Sequence, residues 1–351
     1  MNRGLTLHVV GARPNFIKLS VVYSALRNTC DQLIVHTGQH YDYELSRVFF
    51  KELNIPEPDY NLNVGSGPHG YQTGEMLKRV EEVLLKEKPD VVVVYGDTNS
   101  TLAGALASVK LGILIAHVES GVRSYEKYMA EEINRVVVDS VSELLFAPTL
   151  RAVENLRKEG LVEGVYFTGD IMLDLFLSVR NRFNVRNEGF ILVTVHRAEN
   201  TDNPERLKTI LEALVESGER IIFPMHPRTS KRIMEYGFDW FMKARNIEVT
   251  EPMGYLEFLD AMSRARMVAT DSGGVQKEAY FMGKPCVTLR ESTEWVETVE
   301  TGWNVLVSAD KEKILNALKG FKPRGKPDLS LFGDGEASRR VASILSERLD
   351  R

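Results

Sequence analysis

The stretch VVVVYGDTN at residues 91–99 joins a continuous apolar run to a polar turn. Short apolar runs bounded by turn residues are typical of strands that a parallel sheet buries on both faces. Gly96 then begins a turn that carries Asp97, Thr98 and Asn99. The stretch predicts a strand at Val91–Tyr95 with a carboxylate directly after its carboxyl end.

The same arrangement recurs along the whole chain. Short apolar runs alternate with amphipathic stretches, which is typical of parallel sheets covered by helices, an α/β fold. The predicted strands are Leu5–Val10, 33–36, Val91–Tyr95 and 113–118 in the first half, and 190–195, 220–225, Met267–Thr270 and 286–289 in the second. A helix is predicted at 204–217, with Asn203 as its N-cap and Pro204 in its first turn.

Length and rhythm divide the chain in two. At about 150 residues per domain, 351 residues suggest roughly two domains. The strand and helix rhythm starts again around residues 165–186, which places the boundary near Thr168. No Gly/Ser or Pro tract lies there, so we expect a short hinge.

Composition excludes several classes of protein. The net charge of -5, without any block of like charge, makes nucleic acid and anionic membrane poor partners. No apolar run approaches the roughly 18 residues that span a bilayer, and the first residues resemble a strand more than a signal peptide. Two cysteines far apart, Cys30 and Cys286, indicate a reducing compartment. These features predict a soluble, cytoplasmic protein.

Polar, titratable or glycine residues directly follow almost every predicted strand. They occupy 11–13, 36–40, 96–99 and 119–121, and then 196–197, 226–228 and 271–274. In open α/β sheets, ligands bind outside the carboxyl ends of the strands. Polar loops would explain any one case, but seven cases favour a binding site, and two facing sheets would enclose it in a cleft.

Three carboxylates are candidates for proton transfer. Asp97 and Glu119 each end a strand, and Glu131 lies beside Glu132 in the first turn of a helix that leads to Arg135. Crowded carboxylates have pKa values that are pushed apart, which suits an acid and a base. For Asp97 and Glu119 we favour this function, whereas favourable charge at a helix start explains Glu131 equally well.

A second group of residues could bind phosphate. The turn DSGG at 271–274 offers backbone amides at a helix start, although an ordinary glycine turn explains it as well. Glu278 could accept hydrogen bonds from a ribose, but a solvated helix residue is the simpler interpretation. Arg13 and Lys18 could face a diphosphate, although surface ion pairing is the usual role of such residues.

Other cofactor motifs are weak or absent. GSGPHG at 65–70 matches the dinucleotide fingerprint by letter, but a poor strand precedes it and no acidic residue follows about 20 positions later. There is no phosphate-binding Lys-Ser/Thr loop, HExxH or CxxC, and the seven histidines are not clustered. The sequence therefore predicts neither a nicotinamide nor a metal, and no other cofactor.

Eight motifs in one order carry a family resemblance. They are GARPNFIK at 11–18, HTGQH at 36–40, GDTN at 96–99, HVESGVR at 117–123, EEINR at 131–135, TVHRAEN at 194–200, HP at 226–227 and TDSGGVQKE at 270–278. Together they closely resemble the non-hydrolysing UDP-N-acetylglucosamine 2-epimerases over nearly the whole chain.

This resemblance implies a GT-B fold, in which two Rossmann-like domains with parallel sheets face each other across the active-site cleft. Residues 1–167, joined by a last helix at about 336–351, would carry the catalytic carboxylates, and 168–335 would bind UDP. The implied reaction eliminates UDP to give a 2-acetamidoglucal and adds it back with C2 inverted. A homodimer without nicotinamide or metal, and a role in polysaccharide biosynthesis, are also implied.

The resemblance also implies residue roles. The catalytic residues would be Asp97, Glu119, Glu131 and His196, and the substrate-binding residues Arg13, Lys18, His226, Ser272, Gly273, Gly274 and Glu278. It leaves open which carboxylate is the acid and which the base. Gln39 and His40 match part of a segment where some members bind a second UDP-sugar as activator, although both fit equally well as polar turn residues.

Five positions depart from the common family pattern. Many members have Pro at Ala130, Arg-Pro at Trp295-Val296, and Glu at both Lys277 and Asn15. Several of these variants resemble the branch that acts on UDP-2,3-diacetamido-glucuronic acid, so that sugar stays open as the substrate. A hydrolysing epimerase, a UDP-sugar glycosyltransferase of the same fold and a non-catalytic UDP-sugar sensor also stay open as functions of such a chain.

Overall fold

The chain divides into two units in a computed structural model that describes residues 4–39, 50 and 52–349. The first unit comprises Met1–Ser178 and Ser330–Arg351, and the second Val179–Leu329. The sequence predicted a division after residue 167, whereas the first unit continues to Ser178, because the helix at Ile171–Val179 belongs mostly to that unit. Asp174 of that helix accepts hydrogen bonds from the amides of Ala337 and Ser338, which ties it to the returning chain.

One parallel sheet of seven strands forms the centre of the first unit, in the order β3-β2-β1-β4-β5-β6-β7. Its strands are β1 Leu5–Val10, β2 Asp31–His36, β3 Tyr60–Asn61, β4 Val91–Tyr95, β5 Leu114–Val118, β6 Leu144–Ala147 and β7 Val165–Phe167. The valines of β4 are buried on both faces, as the sequence predicts for a central strand. Tyr95 of β4 lies opposite Val118 of β5, so the turns after these strands lie side by side.

Seven helices cover this sheet among the described residues. They are α1 Arg13–Leu26, α2 His69–Glu87, α3 Asn99–Lys110, α4 Ala130–Val141, α5 Leu150–Lys158, α6 Ile171–Val179 and, from the end of the chain, α14 Ala337–Leu349. Helix α3 begins directly after the turn of β4, where the hydroxyl of Thr98 accepts a hydrogen bond from the amide of Thr101. Helix α14 packs against α1.

The second unit is built on a parallel sheet of six strands in the order β10-β9-β8-β11-β12-β13. The strands are β8 Ile191–Thr194, β9 Ile221–Pro224, β10 Ile247–Thr250, β11 Met267–Thr270, β12 Cys286–Thr288 and β13 Asn304–Leu306. Its helices are α7 Ala198–Thr201, α8 Pro204–Glu216, α9 Pro227–Glu235, α10 Tyr255–Arg264, α11 Gly273–Phe281, α12 Val296–Glu300 and α13 Lys311–Gly320. Short 3-10 helices occur at Arg180–Arg182, Asp239–Lys243 and Leu329–Phe332.

The predicted helix at 204–217 corresponds to α8, and Asn203 caps it as expected, because its side chain accepts hydrogen bonds from the amides of Glu205 and Arg206. Within the described part of the chain, no helix has both the length and the apolar character that a bilayer crossing needs.

Candidate active site

Asp97 lies at the end of β4, and helix α4 holds it at two points. Arg135 donates a hydrogen bond from Nη2 to Asp97 Oδ2 at 2.5 Å, and Asn134 donates from Nδ2 to the Asp97 carbonyl at 2.8 Å. The Asp97 side chain is nevertheless 22 % exposed. Its carboxylate is therefore oriented by a buried cation and still accessible from outside.

Glu119 lies at the end of β5 in a backbone conformation that is rare for residues other than glycine. Its φ is 74°, in the left-handed region that costs about 1 kcal/mol or more. Lys18 Nζ donates to Glu119 Oε1 at 2.5 Å. A Cβ atom at Gly96, whose φ is 64°, would lie 2.7 Å from Lys18 Nζ, so a larger residue there would displace this ion pair.

Lys18 does not have the surface position that ordinary ion pairing would give it. The residue is only 6 % exposed, so it does not form a surface ion pair. Its partner Glu119 is 101 positions away in the sequence, which is why the sequence alone did not reveal the pair.

Helix α4 presents two adjacent glutamates with different surroundings. Glu132 is buried and accepts hydrogen bonds from the amides of Ser124 and Tyr125 and from Arg135 Nη1, each at 2.9 Å. Glu131, in the first turn, is half-buried. Arg135 thus joins Glu132 to Asp97. Glu132 and Arg135 were not among the predicted site residues, although their spacing of three on one helix was a signal.

A buried charge network lies directly beneath these turns. His117 contacts Asp139 Oδ1 through Nδ1 at 2.6 Å and the Gly96 carbonyl through Nε2 at 2.7 Å. Arg123 contacts Asp139 Oδ2 at 2.7 Å and Glu159 at 2.6 Å. Burial acts to raise the pKa of Asp139, but the nearby His117 and Arg123 outweigh it and hold that pKa below its ordinary value. The sequence did not predict this network.

The remaining candidates of the first unit lie near the turns of β1 and β2. Arg13 is exposed at the start of α1. Asn15 accepts from the amide of Ala12 at 3.1 Å and donates to the Tyr95 carbonyl at 2.8 Å, so it links β1 to β4. Gln39 accepts a hydrogen bond from the Ser100 hydroxyl at 2.7 Å at the start of α3. His40 lies outside the described residues.

In the second unit, Asp271 organises the turn that carries His196. Its buried carboxylate accepts hydrogen bonds from the amides of His196 and Arg197 at 3.0 Å and from Asn200 Nδ2 at 3.1 Å. The His196 ring lies 5.2 Å from that of His226. His226 caps α9, where its Nδ1 accepts from the amide of Arg228, so the proton of the neutral ring is on Nε2.

The amino end of α11 is formed by Ser272, Gly273 and Gly274. A Cβ at Gly273 would lie 2.2 Å from Glu294 Oε1, whereas no atom within 4 Å would meet a Cβ at Gly274. Glu294 is held by Arg290 Nη1 at 2.7 Å. The backbone amides at a helix start favour an anion, and the space at Gly274 leaves room for one.

Glu278 and Lys277 lie further along α11. Glu278 is only 4 % exposed, so the simpler interpretation of it as a solvated helix residue is wrong. Lys277 Nζ lies 3.8 Å from the centre of the Trp295 ring, a cation–π contact between two of the positions that depart from the family pattern. Among the residues described, no group of three or more His, Cys, Asp or Glu side chains has an arrangement that could hold a metal ion.

Known proteins match the chain over most of its length. A family model described as UDP-N-acetylglucosamine 2-epimerase matches residues 24–346. The chain belongs to this family. As a member of the epimerase family it is an enzyme, and the resemblance deduced from the eight motifs is confirmed.

Two curated relatives illustrate the similarity in sequence. A UDP-N-acetylglucosamine 2-epimerase homolog of Methanococcus maripaludis is 52 % identical over 96 % of this chain and 98 % of its own. A UDP-2,3-diacetamido-2,3-dideoxy-D-glucuronate 2-epimerase of Pseudomonas aeruginosa is 48 % identical over 97 % and 99 %.

The structural match confirms the fold class. The crystal structure of Methanocaldococcus jannaschii UDP-GlcNAc 2-epimerase in complex with UDP-GlcNAc and UDP aligns with a TM-score of 0.90 and 47 % identity over 98 % of this chain and 99 % of that one. The prediction of two parallel α/β units of the GT-B class is therefore correct.

Proposed function

We propose that this enzyme interconverts UDP-N-acetylglucosamine and UDP-N-acetylmannosamine. The C2 proton passes to an enzyme base, the C1–O bond breaks with its electron pair leaving on UDP, and a C1–C2 double bond forms in a 2-acetamidoglucal. UDP then adds back to C1, and a proton is returned to the opposite face of C2. Atoms and charge balance without an oxidant or a metal.

The observation that carries this proposal is the pair of carboxylates on the adjacent turns of β4 and β5. Asp97 and Glu119 are each oriented by a buried cation, Arg135 or Lys18. Epimerisation needs groups that remove a proton and return one, so two fixed carboxylates on adjacent turns suit it. Glu131 in α4 and His196 in the second unit complete the proposed catalytic set.

The second unit is proposed to bind UDP. The C2 proton of the sugar is barely acidic, so departure of the diphosphate must drive the reaction, and the developing charge on the diphosphate needs stabilisation. The amides of Ser272, Gly273 and Gly274 at the start of α11 offer such a site. His226 and Arg13 are proposed as further phosphate contacts, and Glu278 as an acceptor for the ribose hydroxyls.

The sister substrate, UDP-2,3-diacetamido-glucuronic acid, is the second candidate. The reason to keep it is that Lys277 and Trp295, which form a cation–π contact, are two of the positions where the chain departs from the common family pattern. A relative that carries this activity in its name is 48 % identical. Both sugars would undergo the same chemistry at C1 and C2, so the choice concerns specificity and not mechanism.

Several finer properties are proposed with the function. The residues at Gln39 and His40 would form part of a site for a second UDP-sugar that activates the enzyme. A homodimer is supported by the family resemblance and by three exposed apolar side chains, Tyr128, Ile133 and Val136, in or just before α4. Both cysteines are buried free thiols, which suits a reducing cytoplasm, and the product sugar suits polysaccharide biosynthesis.

Proton NMR of the purified enzyme with UDP-N-acetylglucosamine in deuterium oxide tests the proposal. With a chelator present and no nicotinamide added, we expect UDP-N-acetylmannosamine to form with deuterium at C2. Unlabelled product, or a strict need for NAD or a divalent ion, would refute the mechanism. Conversion of only the diacetamido-uronate would assign the enzyme to the sister branch, release of free UDP and sugar would indicate hydrolysis, and no turnover would favour the sensor or a transferase.

A further inference from the structure

We infer that Asp139 and His117 are positioning residues that hold the turns of β4 and β5 in the geometry catalysis requires. The inference rests on the proposed function, because it concerns the rate of that reaction. Neither residue touches the proposed substrate-binding groups: both side chains are fully buried beneath the turns. Their effect would be transmitted through the backbone that carries Asp97 and Glu119.

The first link runs from Asp139 through His117 to the turn of β4. Asp139 Oδ1 lies 2.6 Å from His117 Nδ1. On the other side of the ring, Nε2 lies 2.7 Å from the carbonyl oxygen of Gly96. That carbonyl belongs to the peptide unit immediately before Asp97, so the ring fixes the peptide plane from which the Asp97 side chain extends.

The second link runs from the same carboxylate to the turn of β5. The amide of Gly121 donates to Asp139 Oδ2 at 3.0 Å, two residues after Glu119. Gly121 has a φ of 75°, and a Cβ there would lie 2.3 Å from the Ala152 carbonyl oxygen. The turn is therefore tightly enclosed, and Asp139 satisfies one of its buried donors.

The third link is the helix on which Asp139 itself lies. Asp139 is part of α4, one turn beyond Arg135, the cation that orients Asp97, and two turns beyond Glu131. One carboxylate thus fixes α4 against the two turns at once. Loosening it would shift the three proposed catalytic carboxylates relative to one another.

The ring of His117 bridges two oxygen atoms from different parts of the unit. Its nitrogens face the Asp139 carboxylate and the Gly96 carbonyl oxygen. The buried guanidinium of Arg123 contacts Asp139 and Glu159, so its positive charge is balanced by carboxylates next to the ring.

The matched pair His117→Gln and His8→Gln tests the inference. Both histidines are buried on strands of one sheet, but His8 contacts the Tyr95 hydroxyl and the Gln32 side chain instead of the turns. Misplacement of reacting groups by about 1 Å costs on the order of 100-fold in rate. We expect kcat of the His117 variant to fall about 10- to 100-fold, with the Kd of UDP unchanged, and kcat of the His8 variant to stay near wild type.

Hydrogen exchange supplies a readout that is independent of turnover. Peptides covering residues 95–99 and 118–122 should exchange faster in His117→Gln and Asp139→Asn, but not in His8→Gln. A wild-type kcat in folded His117→Gln, or an equal loss in the His8 variant, would overturn the inference. If the His117 and Asp139 variants do not fold, the nitrogen-15 chemical shifts of His117 in the wild type decide, because an unprotonated Nε2 could not donate to the Gly96 carbonyl oxygen and would overturn the inference.

Failure of the proposed function would look different. Wild-type protein that converts neither UDP-sugar refutes the function. In that case the exchange rates of the two turns and the nitrogen-15 shifts still decide whether Asp139 and His117 hold those turns.

Discussion

Two histidines at the centre of one sheet show how partners set the state of a buried side chain. His8 faces the Gln32 side-chain oxygen through Nε2 and the Tyr95 hydroxyl through Nδ1. A hydroxyl can donate to a neutral ring, so His8 needs no charge, and burial lowers its pKa to about 4. His117 instead faces two acceptors, the Asp139 carboxylate and the Gly96 carbonyl oxygen. Residue type and burial are the same, but the partners differ.

The neutral state of His8 predicts a loss of stability in mild acid. The unfolded ring takes up a proton near its ordinary pKa of 6.5, whereas the folded ring stays neutral down to about 4. The contribution of His8 to the free energy of unfolding is therefore fully present well above pH 6.5, and it is lost as the pH falls from 6.5 to about 4. Between pH 7 and pH 5 we expect His8 to account for a loss of about 2 kcal/mol.

Urea unfolding at both pH values, followed by circular dichroism, measures this loss. His8→Gln removes the titrating group, so the difference between pH 7 and pH 5 should shrink by about that 2 kcal/mol whatever the stability of the variant at pH 7. An unchanged difference would mean that the folded ring is protonated too.

Substitution of the two adjacent glutamates of α4 should distinguish a catalytic role from a structural one. Glu131→Gln keeps the shape and removes the titratable group, so we expect turnover to fall about 100- to 10,000-fold, with UDP binding and the melting temperature unchanged. Glu132→Gln loses a carboxylate that accepts from two amides and from Arg135. It should lower stability by about 1–3 kcal/mol and turnover as well. A near wild-type rate for Glu131→Gln would make Glu131 only a favourable charge at a helix start.

For single residues, the sequence predicted where a side chain lies better than it predicted which side chain it contacts. Asp97 and Glu119 follow β4 and β5 as the sequence predicted, at the carboxyl ends where parallel sheets bind ligands, and their catalytic role stays a prediction. The burial of Lys18 and the role of Asp139 were missed, because their partners Glu119 and His117 are 101 and 22 positions away. Such pairs form only when the sheet brings distant turns together, and one sequence contains no record of them.

The amino end of α11 is the element whose proposed role depends most on backbone shape. An alanine at Gly273 would place its Cβ against Glu294 and Trp295, so we expect Gly273→Ala to lower the stability by about 1–3 kcal/mol. Gly274→Ala meets no atom and should keep or raise the melting temperature, since alanine restricts the unfolded chain.

Gly274→Ala should weaken UDP binding even though it does not destabilise the fold. If phosphate approaches the amide of Gly274, the added methyl group occupies part of its space, and we expect the Kd for UDP to rise about tenfold, which is about 1.4 kcal/mol. Calorimetric titration with UDP beside a thermal melt measures both effects. Wild-type affinity in Gly274→Ala would remove this turn from the proposed phosphate site.

Among whole elements, central strands were mostly predictable and edge strands were not. All eight predicted strands are present, with β1, β4 and β11 at the predicted bounds. Among the described residues there are five further strands, β3, β6, β7, β10 and β13, which have two to four residues, and four of them are sheet edges. An edge strand such as Tyr60–Asn61 is stabilised by pairing with β2, which its own two residues do not signal.

For the molecule as a whole, the first unit depends on both ends of the chain and the second does not. Met1–Ser178 needs Ser330–Arg351, whose helix α14 packs on α1 and buries Val341 and Leu345. The second unit is one continuous segment, Val179–Leu329, with its own core around β8, β9 and β11. Local rhythm located the boundary only approximately, because α6 continues the helical pattern while its contacts belong to the first unit.

This asymmetry predicts that the second unit folds alone. A fragment of residues 179–329 contains all three tryptophans, Trp240, Trp295 and Trp303, so their emission reports its unfolding directly. We expect a cooperative urea transition for this fragment. Residues 1–178 alone should lack one, because the loss of α14 leaves an apolar face of α1 uncovered.

The 179–329 fragment should also bind UDP, more weakly than the full chain, and show no epimerase activity, since Asp97, Glu119 and Glu131 are absent. The matched fragment with Gly274→Ala should fold equally well and bind UDP less. If the 179–329 fragment folds but binds no UDP, the amides at the start of α11 are insufficient for the diphosphate, and the essential contacts must be sought among residues of the first unit such as Arg13.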